Sequence, residues 1–237
     1  MGCTGSSGFL RSASLPGETD VGRGYKVILK HKKRGLVGLK NLGNTCFMNS
    51  ALQCLSNTPP LVDFFLENDW KHHINRKNPM GNSGEVAECF GELIRLMWLD
   101  DRDKPVNPTG PPIVSPHKLK HTLGRHQPQF SGNDQQDAQE LLAFLLDGLH
   151  EDLNRVKTKP YVEDVESDGT KDEEAAAQSW RGYLLRNRSI IVDLSQGQLR
   201  STLRCLTCNS KSVKFETFMY LSVPIVRKRG QKVSLQR

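Results

Sequence analysis

The sequence predicts an α+β fold, in which helices come first along the chain and strands follow in a separate layer. Two observations lead to this prediction. Apolar residues recur at helical spacing in the segments 44–55, 85–99 and 135–154. Between residues 189 and 225, short runs of β-branched and aromatic residues alternate with turn residues, which is typical of strands.

Composition places the chain in the globular class and limits its compartment. Its 237 residues carry a net charge of +7, and 36% are hydrophobic, which is enough for a buried core. No run of about 18 apolar residues occurs, and the N-terminus lacks the apolar stretch of a secretory signal. The six cysteines are too sparse for a disulfide scaffold. We therefore expect a protein of the cytoplasm (cytosolic) or of the nucleus. In that compartment its cysteines are expected to be thiols, metal ligands or a nucleophile.

The first 35 residues are rich in Gly and Ser and lack apolar periodicity, so we predict a flexible tail over 1–35 and a folded region over 36–237. The tail ends in the basic sequence KHKKR at 30–34. Nucleic-acid binding requires stacking aromatic residues interleaved with such charges, and this run has none. We therefore expect a solvated basic segment and no nucleic-acid partner.

The first predicted helix, Asn44–Leu55, follows a Gly-Asn-Thr start signal and stops before the helix-breaking sequence NTPP. This prediction places Cys46 in the first turn. Two further helices are predicted at Glu85–Leu99 and Gln135–Asn154, and a Pro-rich connector, Lys104–Pro116, lies between them.

The acidic stretch Glu163–Glu174 contains the turn signal Asp168-Gly169 and is predicted to be an exposed loop. Four predicted strands follow it, each bounded by turn residues. They are Ser189–Leu194, Leu199–Arg204, Ser212–Phe218 and Tyr220–Ile225.

Cys46 has the setting of a nucleophile. A thiol attacks as its thiolate, and the unpaired N–H groups and positive dipole end of a helix N-terminus stabilise that anion. The Gly43-Asn44 pair allows a tight turn that presents the sulfur, and Asn41 places an amide near a developing oxyanion. A cysteine in a helix is more often a small buried hydrophobic residue, and the residues alone leave that alternative open.

A resemblance to a known family rests on this segment. Residues 38–50 read GLKNLGNTCFMNS, followed by LQCL at 52–55, and resemble the cysteine box of the ubiquitin-specific proteases almost letter for letter. The resemblance implies a papain-like cysteine protease fold, with Cys46 as the nucleophile and Asn41 stabilising the oxyanion. Cys54, on the same helix, is expected in the core.

A second segment, SGNDQQDAQELL at 131–142, is similar to another box of the same family. The resemblance implies that Asp137 and Glu140 help to hold the extended, arginine-bearing tail of ubiquitin. Their spacing places both carboxylates on one helix face, where they can pair with guanidinium groups. An N-capping and first-turn acidic pair is the alternative, and the two interpretations are compatible.

Cys205 and Cys208 form a CxxC sequence between two predicted strands, which is half of a tetrahedral thiolate zinc site. Many members of the family carry a four-cysteine zinc ribbon, and the following FETFMYLSVPI also resembles family sequence. No second CxxC follows before Arg237. We therefore expect a structural zinc ion in a complete form of the protein, and no cofactor for catalysis.

The resemblance extends from about residue 35 to residue 225 and includes segments similar to the subgroup that carries DUSP and ubiquitin-like domains. It implies a helical thumb over 36–158 and the start of the β-rich fingers and palm over 180–237. The implied activity is hydrolysis of the peptide or isopeptide bond after the C-terminal glycine of ubiquitin, with ubiquitin and ubiquitinated proteins as partners. A non-catalytic ubiquitin-binding module is the alternative.

Nucleophilic cysteine catalysis also needs a base and a group that orients it. Family members supply these from a Gly-His-Tyr sequence followed by Asp or Asn, and this sequence contains no such box. All histidines precede the predicted strands and are expected on the surface or on helix faces: His31, His72, His73, His117, His121, His126 and His150. We therefore expect an α+β fold that is incomplete at its C-terminus and negligible hydrolysis by this chain alone, either as a fragment or as a natural short form.

The N-terminus matches the N-myristoylation pattern, with Gly2 as acceptor and Ser6 at the hydroxyl position. Cys3 is a candidate for palmitoylation and a basic cluster lies downstream, which strengthens the pattern because stable anchoring generally takes two such signals. An ordinary flexible tail is the alternative. Acylation would place the protein at a membrane surface.

Overall fold

The computed structural model describes residues 4–9, 35–67, 69–98 and 112–223. In the described residues between 35 and 195, every element longer than two residues is helical, and the two longest strands follow within 197–218, which confirms the predicted α+β class. The helices are α1 Cys46–Ser56, α2 Pro59–Leu66, α3 Glu85–Trp98, α4 His117–His126, α5 Ala138–Asp152, α6 Asp172–Leu184 and α7 Ile190–Ser195. Short 3-10 helices occupy Trp70–His73 and Pro128–Phe130. None of the helices within the described ranges has the length and apolar character that a membrane span requires.

The helices enclose one apolar core. Helix α3 packs against α2, α4 and α5, and α5 also packs against α1 and α7. Phe65 lies at the centre, with its ring edge-to-face against Trp70 and Phe90, and all three are almost fully buried. Such aromatic packing contributes about 0.5–1.5 kcal/mol per pair beyond the area it buries. This core fixes the position of α1, which carries Cys46, relative to α5, which carries Glu140.

A buried carboxylate joins α3 to the end of α5. Asp152 is 0% exposed and accepts hydrogen bonds from the backbone N–H groups of Asn82, Gly84, Val86 and Ala87, at 2.7, 3.1, 3.1 and 3.1 Å. The first N–H groups of a helix have no acceptor within the helix itself. A side chain from the end of α5 therefore caps α3.

The strands form two sheets. The larger sheet has the order β1-β5-β6-β4 and is antiparallel, with β1 at Thr4–Phe9, β4 at Glu166–Ser167, β5 at Gly197–Arg204 and β6 at Lys211–Phe218. Strands β5 and β6 form a hairpin whose turn contains the CxxC sequence. A small parallel pair, β2 at Gly38–Leu39 and β3 at Ile113–Val114, lies beside the helices. Helix α6 packs against β6.

Two strand predictions were wrong. The segment Ser189–Leu194 is helical, because Ser189 caps α7 by accepting a hydrogen bond from the backbone N–H of Val192 at 3.3 Å. Ile191 and Val192 are buried from this helix, so tertiary packing overrides their β propensity. Of the predicted strand Tyr220–Ile225, residues 220–223 are not a strand, and residues 224 and 225 lie outside the described residues.

Two predicted loops also differ from the structure. The acidic stretch Glu163–Glu174 contains β4 and the start of α6, whose first turn is acidic. Thr4–Phe9, predicted as part of a flexible tail, pairs with β5 from Thr4 opposite Arg204 to Phe9 opposite Leu199. The remainder of the predicted tail, apart from Gly35, lies outside the described residues, as do residues 99–111 and 224–237 of the predicted folded region.

Candidate active site

Cys46 is the first residue of α1, and its side chain is exposed. On the opposite face of the helix, Met48 and Leu52 are buried in the core and fix the helix in place. The N–H groups at the start of a helix have no intrahelical acceptor, and a partial positive charge is centred there. The thiol therefore lies beside the N-terminal backbone donors of a helix that is packed into the core.

The loop before Cys46 turns sharply through two left-handed residues. Gly43 has φ 101° and Asn44 has φ 52°. Glycine adopts this region without strain, and asparagine is the non-glycine residue that tolerates it best. The Gly-Asn pair thus produces the predicted turn.

Asn41 accepts three hydrogen bonds within this loop. Its Oδ1 receives the backbone N–H of Gly43 at 3.0 Å, the backbone N–H of Thr45 at 3.1 Å and the Thr45 hydroxyl at 3.2 Å. Three donors around Oδ1 fix which end of the amide is the oxygen. The Asn41 Nδ2 group has no acceptor among the described residues, so it is available as a donor at the exposed edge of the site.

The cysteine loop is attached to the second sequence box. Asn44 Nδ2 donates to the backbone carbonyl of Asn133 at 2.9 Å. Gly43 lies against the Asn133 side chain, because a Cβ placed at Gly43 would be 3.4 Å from it. The structure thus brings together two motifs that are far apart in the sequence.

Helix α1 also holds the strand segment that precedes the loop. Asn49 Nδ2 donates to the Lys40 carbonyl at 3.2 Å, and Gln53 Nε2 donates to the Val37 carbonyl at 2.9 Å. On the side that faces α1, these side-chain amides supply the hydrogen bonds that a neighbouring strand would otherwise make with the backbone of residues 37–40. Asn49 and Gln53 both belong to the cysteine box, where they hold the backbone of residues 37–40 in place.

Asp137 is the N-cap of α5. Its Oδ1 accepts the backbone N–H groups of Gln139 at 2.7 Å and Glu140 at 3.1 Å, as the capping interpretation predicts. Asp137 and Glu140 are both exposed, so carboxylate oxygens remain open to solvent. A guanidinium group has access to both side chains.

A cavity of about 530 Å³ lies further along α5. Its lining includes Phe144, Asp147, His150 and Tyr183. Phe144 contacts Phe130 at a ring-centroid distance of 5.9 Å, and Phe130 stacks on Phe47, next to Cys46. Burial raises the pKa of Tyr183 to about 12, and the neighbouring carboxylates of Glu151 and Asp147 add to this shift.

The burial of one histidine and of one cysteine differs from the prediction. His150, expected on a surface or helix face, is buried, with Nδ1 2.8 Å from Ser189 Oγ and Nε2 3.3 Å from Asn187 Oδ1. Cys54, expected in the core, is exposed because its position on α1 faces away from α5 and the core. No histidine in the described ranges makes a hydrogen bond with Cys46, and His31 lies outside them.

The CxxC sequence is at the β5–β6 turn, in the sheet and apart from Cys46. Cys205 N–H donates to the Ser210 carbonyl at 2.9 Å, and Asn209, with φ 55°, closes the turn. A hydrogen bond from the Ser210 side chain is the largest cause that lowers the pKa of Cys208 to about 7. Two thiols fit half of a zinc site, which needs four donors, and the described residues contain no group of three or more candidate ligands.

The sequence motifs predict site roles for Cys46, Asn41, Asp137 and Glu140 but none for Thr45, whose hydroxyl contacts Asn41. A threonine immediately before a helix predicts a capping residue, and the contact with Asn41 is a different one. Gly2 and Cys3, the predicted acylation positions, lie outside the described residues.

Comparison with known proteins gives the family. A sequence profile described as ubiquitin carboxyl-terminal hydrolase matches residues 37–231. The chain is 52% identical over 206 residues to the putative ubiquitin carboxyl-terminal hydrolase 11 of Arabidopsis thaliana, covering 87% of the chain and 22% of that protein. It is 52% identical over 207 residues to ubiquitin carboxyl-terminal hydrolase 4 of Bos taurus, covering 87% and 21%. With the human hydrolase 32, identity is 48% over 218 residues, covering 91% and 13%.

Among solved structures, the chain is similar to one chain of a structure described as the SAGA DUB module Ubp8/Sgf11/Sus1/Sgf73 bound to monoubiquitin. The TM-score is 0.51 at 17% identity, covering 84% of this chain and 39% of that chain, and this likeness concerns the fold alone. The chain belongs to the ubiquitin carboxyl-terminal hydrolase family and has a papain-like fold. It spans about a fifth or less of the length of the relatives named above.

Proposed function

We propose that this chain carries the nucleophile half of a deubiquitinating active site. Cys46 is the nucleophile, Asn41 and the backbone N–H groups at the start of α1 bind the oxyanion, and Asp137 and Glu140 bind the basic tail of ubiquitin. The observation that carries the proposal is the Asn41 amide. Its oxygen is held by three loop donors, two of them from Thr45, the residue before the exposed Cys46, and its nitrogen has no acceptor among the described residues.

The reaction is acyl transfer to sulfur. The Cys46 thiolate attacks the carbonyl carbon of the last ubiquitin glycine, and the oxygen becomes an oxyanion. The bond from that carbon to the amine nitrogen then breaks, and the amine leaves with a proton. Water hydrolyses the resulting thioester, which releases the ubiquitin carboxylate and regenerates the thiol.

A general base must remove the thiol proton and later protonate the leaving amine. This sequence has no Gly-His-Tyr box to supply one. We therefore expect the isolated chain to bind ubiquitin and to react with an electrophile, while its turnover of a fluorogenic ubiquitin substrate stays negligible. Turnover comparable to that of an intact family member would contradict this part of the proposal.

The test of the nucleophile is covalent capture. Ubiquitin with a C-terminal aldehyde should form an adduct with the chain at pH 8.5, where an ordinary thiol is about half ionised without a base. Cys46→Ser should abolish the adduct. Cys54→Ser is the matched control, since it removes another exposed cysteine from the same helix and should leave capture unchanged. Capture that survives Cys46→Ser would refute the assignment.

A non-catalytic ubiquitin-binding module is the second candidate, and the absent histidine box is the observation in its favour. Both candidates predict binding of ubiquitin and weaker binding after Asp137→Asn or Glu140→Gln. They differ in the adduct: the binding module predicts none above the level of Cys46→Ser. Calorimetric titration with ubiquitin, run beside the capture assay, separates the two.

For the metal, we propose that Cys205 and Cys208 supply two of the four donors of a structural zinc site in a longer form of the protein. Zinc would fix the β5–β6 turn and is not needed for the reaction at Cys46. Elemental analysis of the purified chain, compared with a Cys205→Ser and Cys208→Ser variant, measures whether the half-site holds metal. Equal zinc content in both would show that these two thiols hold no metal in this chain.

A further inference from the structure

Thr45 occupies the capping position of α1 but does not cap it. At an N-cap, a threonine hydroxyl normally accepts a hydrogen bond from the N–H of the second or third helical residue. Thr45 makes no such bond, although it precedes the first residue of the helix. Its hydroxyl is directed back into the preceding loop, where it makes its hydrogen bonds.

The Thr45 hydroxyl makes two hydrogen bonds in that loop. Its Oγ1 accepts the backbone N–H of Leu42 at 2.9 Å and donates to Asn41 Oδ1 at 3.2 Å. The side chain is 1% exposed, so water does not replace these bonds when they are lost. The hydroxyl thus connects the loop backbone to the amide of the proposed oxyanion donor.

We infer that Thr45 is a positioning residue, whose hydroxyl orients the Asn41 amide so that Nδ2 faces the oxyanion. The inference rests on the proposed function of Cys46 and Asn41. An asparagine amide can rotate by half a turn, which exchanges its oxygen and nitrogen. The hydroxyl, which accepts from Leu42 N–H, donates its proton to Oδ1. It adds a third donor to the backbone N–H groups of Gly43 and Thr45 and further disfavours the exchanged orientation.

The absence of a side-chain cap has a second effect on the same site. A capping hydroxyl would occupy one of the free N–H groups at the start of α1. Because Thr45 points away, no threonine oxygen competes there with an incoming oxyanion. One side chain therefore both orients the amide donor and leaves the backbone donors free.

The test compares two electrophiles on the full chain. Ubiquitin aldehyde gives a hemithioacetal whose oxygen lies in the oxyanion position, whereas iodoacetamide alkylates the sulfur without forming an oxyanion. Thr45→Val keeps the shape and removes the hydroxyl, and Thr45→Ser keeps the hydroxyl. Thr45→Val should slow aldehyde capture about fivefold, the factor for one ordinary hydrogen bond, and leave iodoacetamide alkylation of Cys46 unchanged. Thr45→Ser should react at the unaltered rate with both.

A double-mutant cycle keeps the inference testable if valine loosens the loop. A residue that acts through Asn41 has nothing to position in an Asn41→Ala background, so the double variant should match Asn41→Ala in aldehyde capture. A further fivefold loss in the double variant, an unchanged rate for Thr45→Val, or failure of Thr45→Ser to restore the rate would each overturn the inference. These outcomes leave the proposed function intact, whereas absence of capture by the unaltered chain would overturn both.

Discussion

Asn44 and Asn133 join the two sequence boxes of the site through one hydrogen bond of 2.9 Å, from the Asn44 side-chain amide to the Asn133 carbonyl. Asn44 sits at φ 52°, in the left-handed region, directly between Gly43 and Thr45. In this conformation the Asn44 side-chain amide lies against the loop that contains Asn133. The position of the cysteine loop therefore depends on the loop that leads into α5.

Removing this bond should loosen the cysteine loop. Asn44→Gly keeps the left-handed backbone without strain but loses the donor, so we expect a loss of about 0.5–1 kcal/mol in the free energy of unfolding and slower capture of ubiquitin aldehyde. Asn209→Gly is the matched control, because Asn209 has φ 55° and no side-chain hydrogen bond is found for it among the described residues. Urea unfolding of both variants measures the difference, and equal stability losses would contradict a role for the bond.

Asp63 is a buried carboxylate on α2 whose two oxygens have no hydrogen-bond partner in the part of the chain that the structure describes. Burial raises the pKa of Asp63 to about 6, and the charge of Glu67 adds to the shift. The charged form is thus disfavoured in the folded state. Asp63→Asn should stabilise the protein at pH 7.5 by on the order of 1–3 kcal/mol.

The pH dependence of this effect has a definite sign. A carboxyl whose folded pKa is raised contributes stability below its unfolded pKa of about 3.9, and this contribution is lost as pH rises through about 6. The stability advantage of Asp63→Asn should therefore shrink as pH falls from 7.5 to 4.5. Chemical unfolding at a series of pH values provides the measurement, and a constant advantage would show that titration is not its cause.

Asp152 supports α3 through four backbone bonds from a fully buried position. Asp152→Ala leaves those N–H groups without an acceptor, and each unsatisfied buried group costs about 1–3 kcal/mol. We expect a loss of at least about 3 kcal/mol, seen as a lower thermal midpoint or as insoluble protein. Asp147→Ala, at an exposed position on the same helix, should change stability by less than about 0.5 kcal/mol. Comparable losses in the two variants would contradict the capping role.

Acylation at the N-terminus is tested by cell fractionation. Myristoylation requires Gly2, so Gly2→Ala should move the protein from the membrane fraction to the soluble fraction, and Cys3→Ser should give a partial shift. Gly8→Ala lies outside the motif and should fractionate like the unaltered protein. If Gly2→Ala leaves the distribution unchanged, the lipid hypothesis is wrong.

Helices with a strong apolar period were predictable, and elements decided by caps and burial were not. The predicted helix Gln135–Asn154 corresponds to α5, because its leucine stripe faces one core. The segment that became α7 carries three consecutive β-branched residues, Ile190–Val192, and its strand propensity was outweighed by the Ser189 cap and by burial. Strand β1 could not be predicted, since its partner β5 lies almost 200 residues further along the chain.

At the site, residue types and their order were predictable, while hydrogen-bond directions were not. The box around Cys46 predicts the roles of the cysteine and of Asn41 without any geometry. The direction of the Thr45 hydroxyl depends on three-dimensional competition between the helix and the loop, and its sequence position suggests the opposite choice. The burial of His150 was not predicted, because it depends on a contact in three dimensions. Its hydrogen-bond partner Ser189 is the N-cap of α7, a segment predicted as a strand.

The Asp152 cap also bears on the order in which the chain folds. Helix α3 receives its N-terminal acceptor from a residue 65 positions beyond Ala87, so its first turn is complete when α5 has docked. A peptide containing α3 alone should therefore fray at its start. In native-state hydrogen exchange, the amides of Val86 and Ala87 should open together with the end of α5, because the two helices form one cooperative unit.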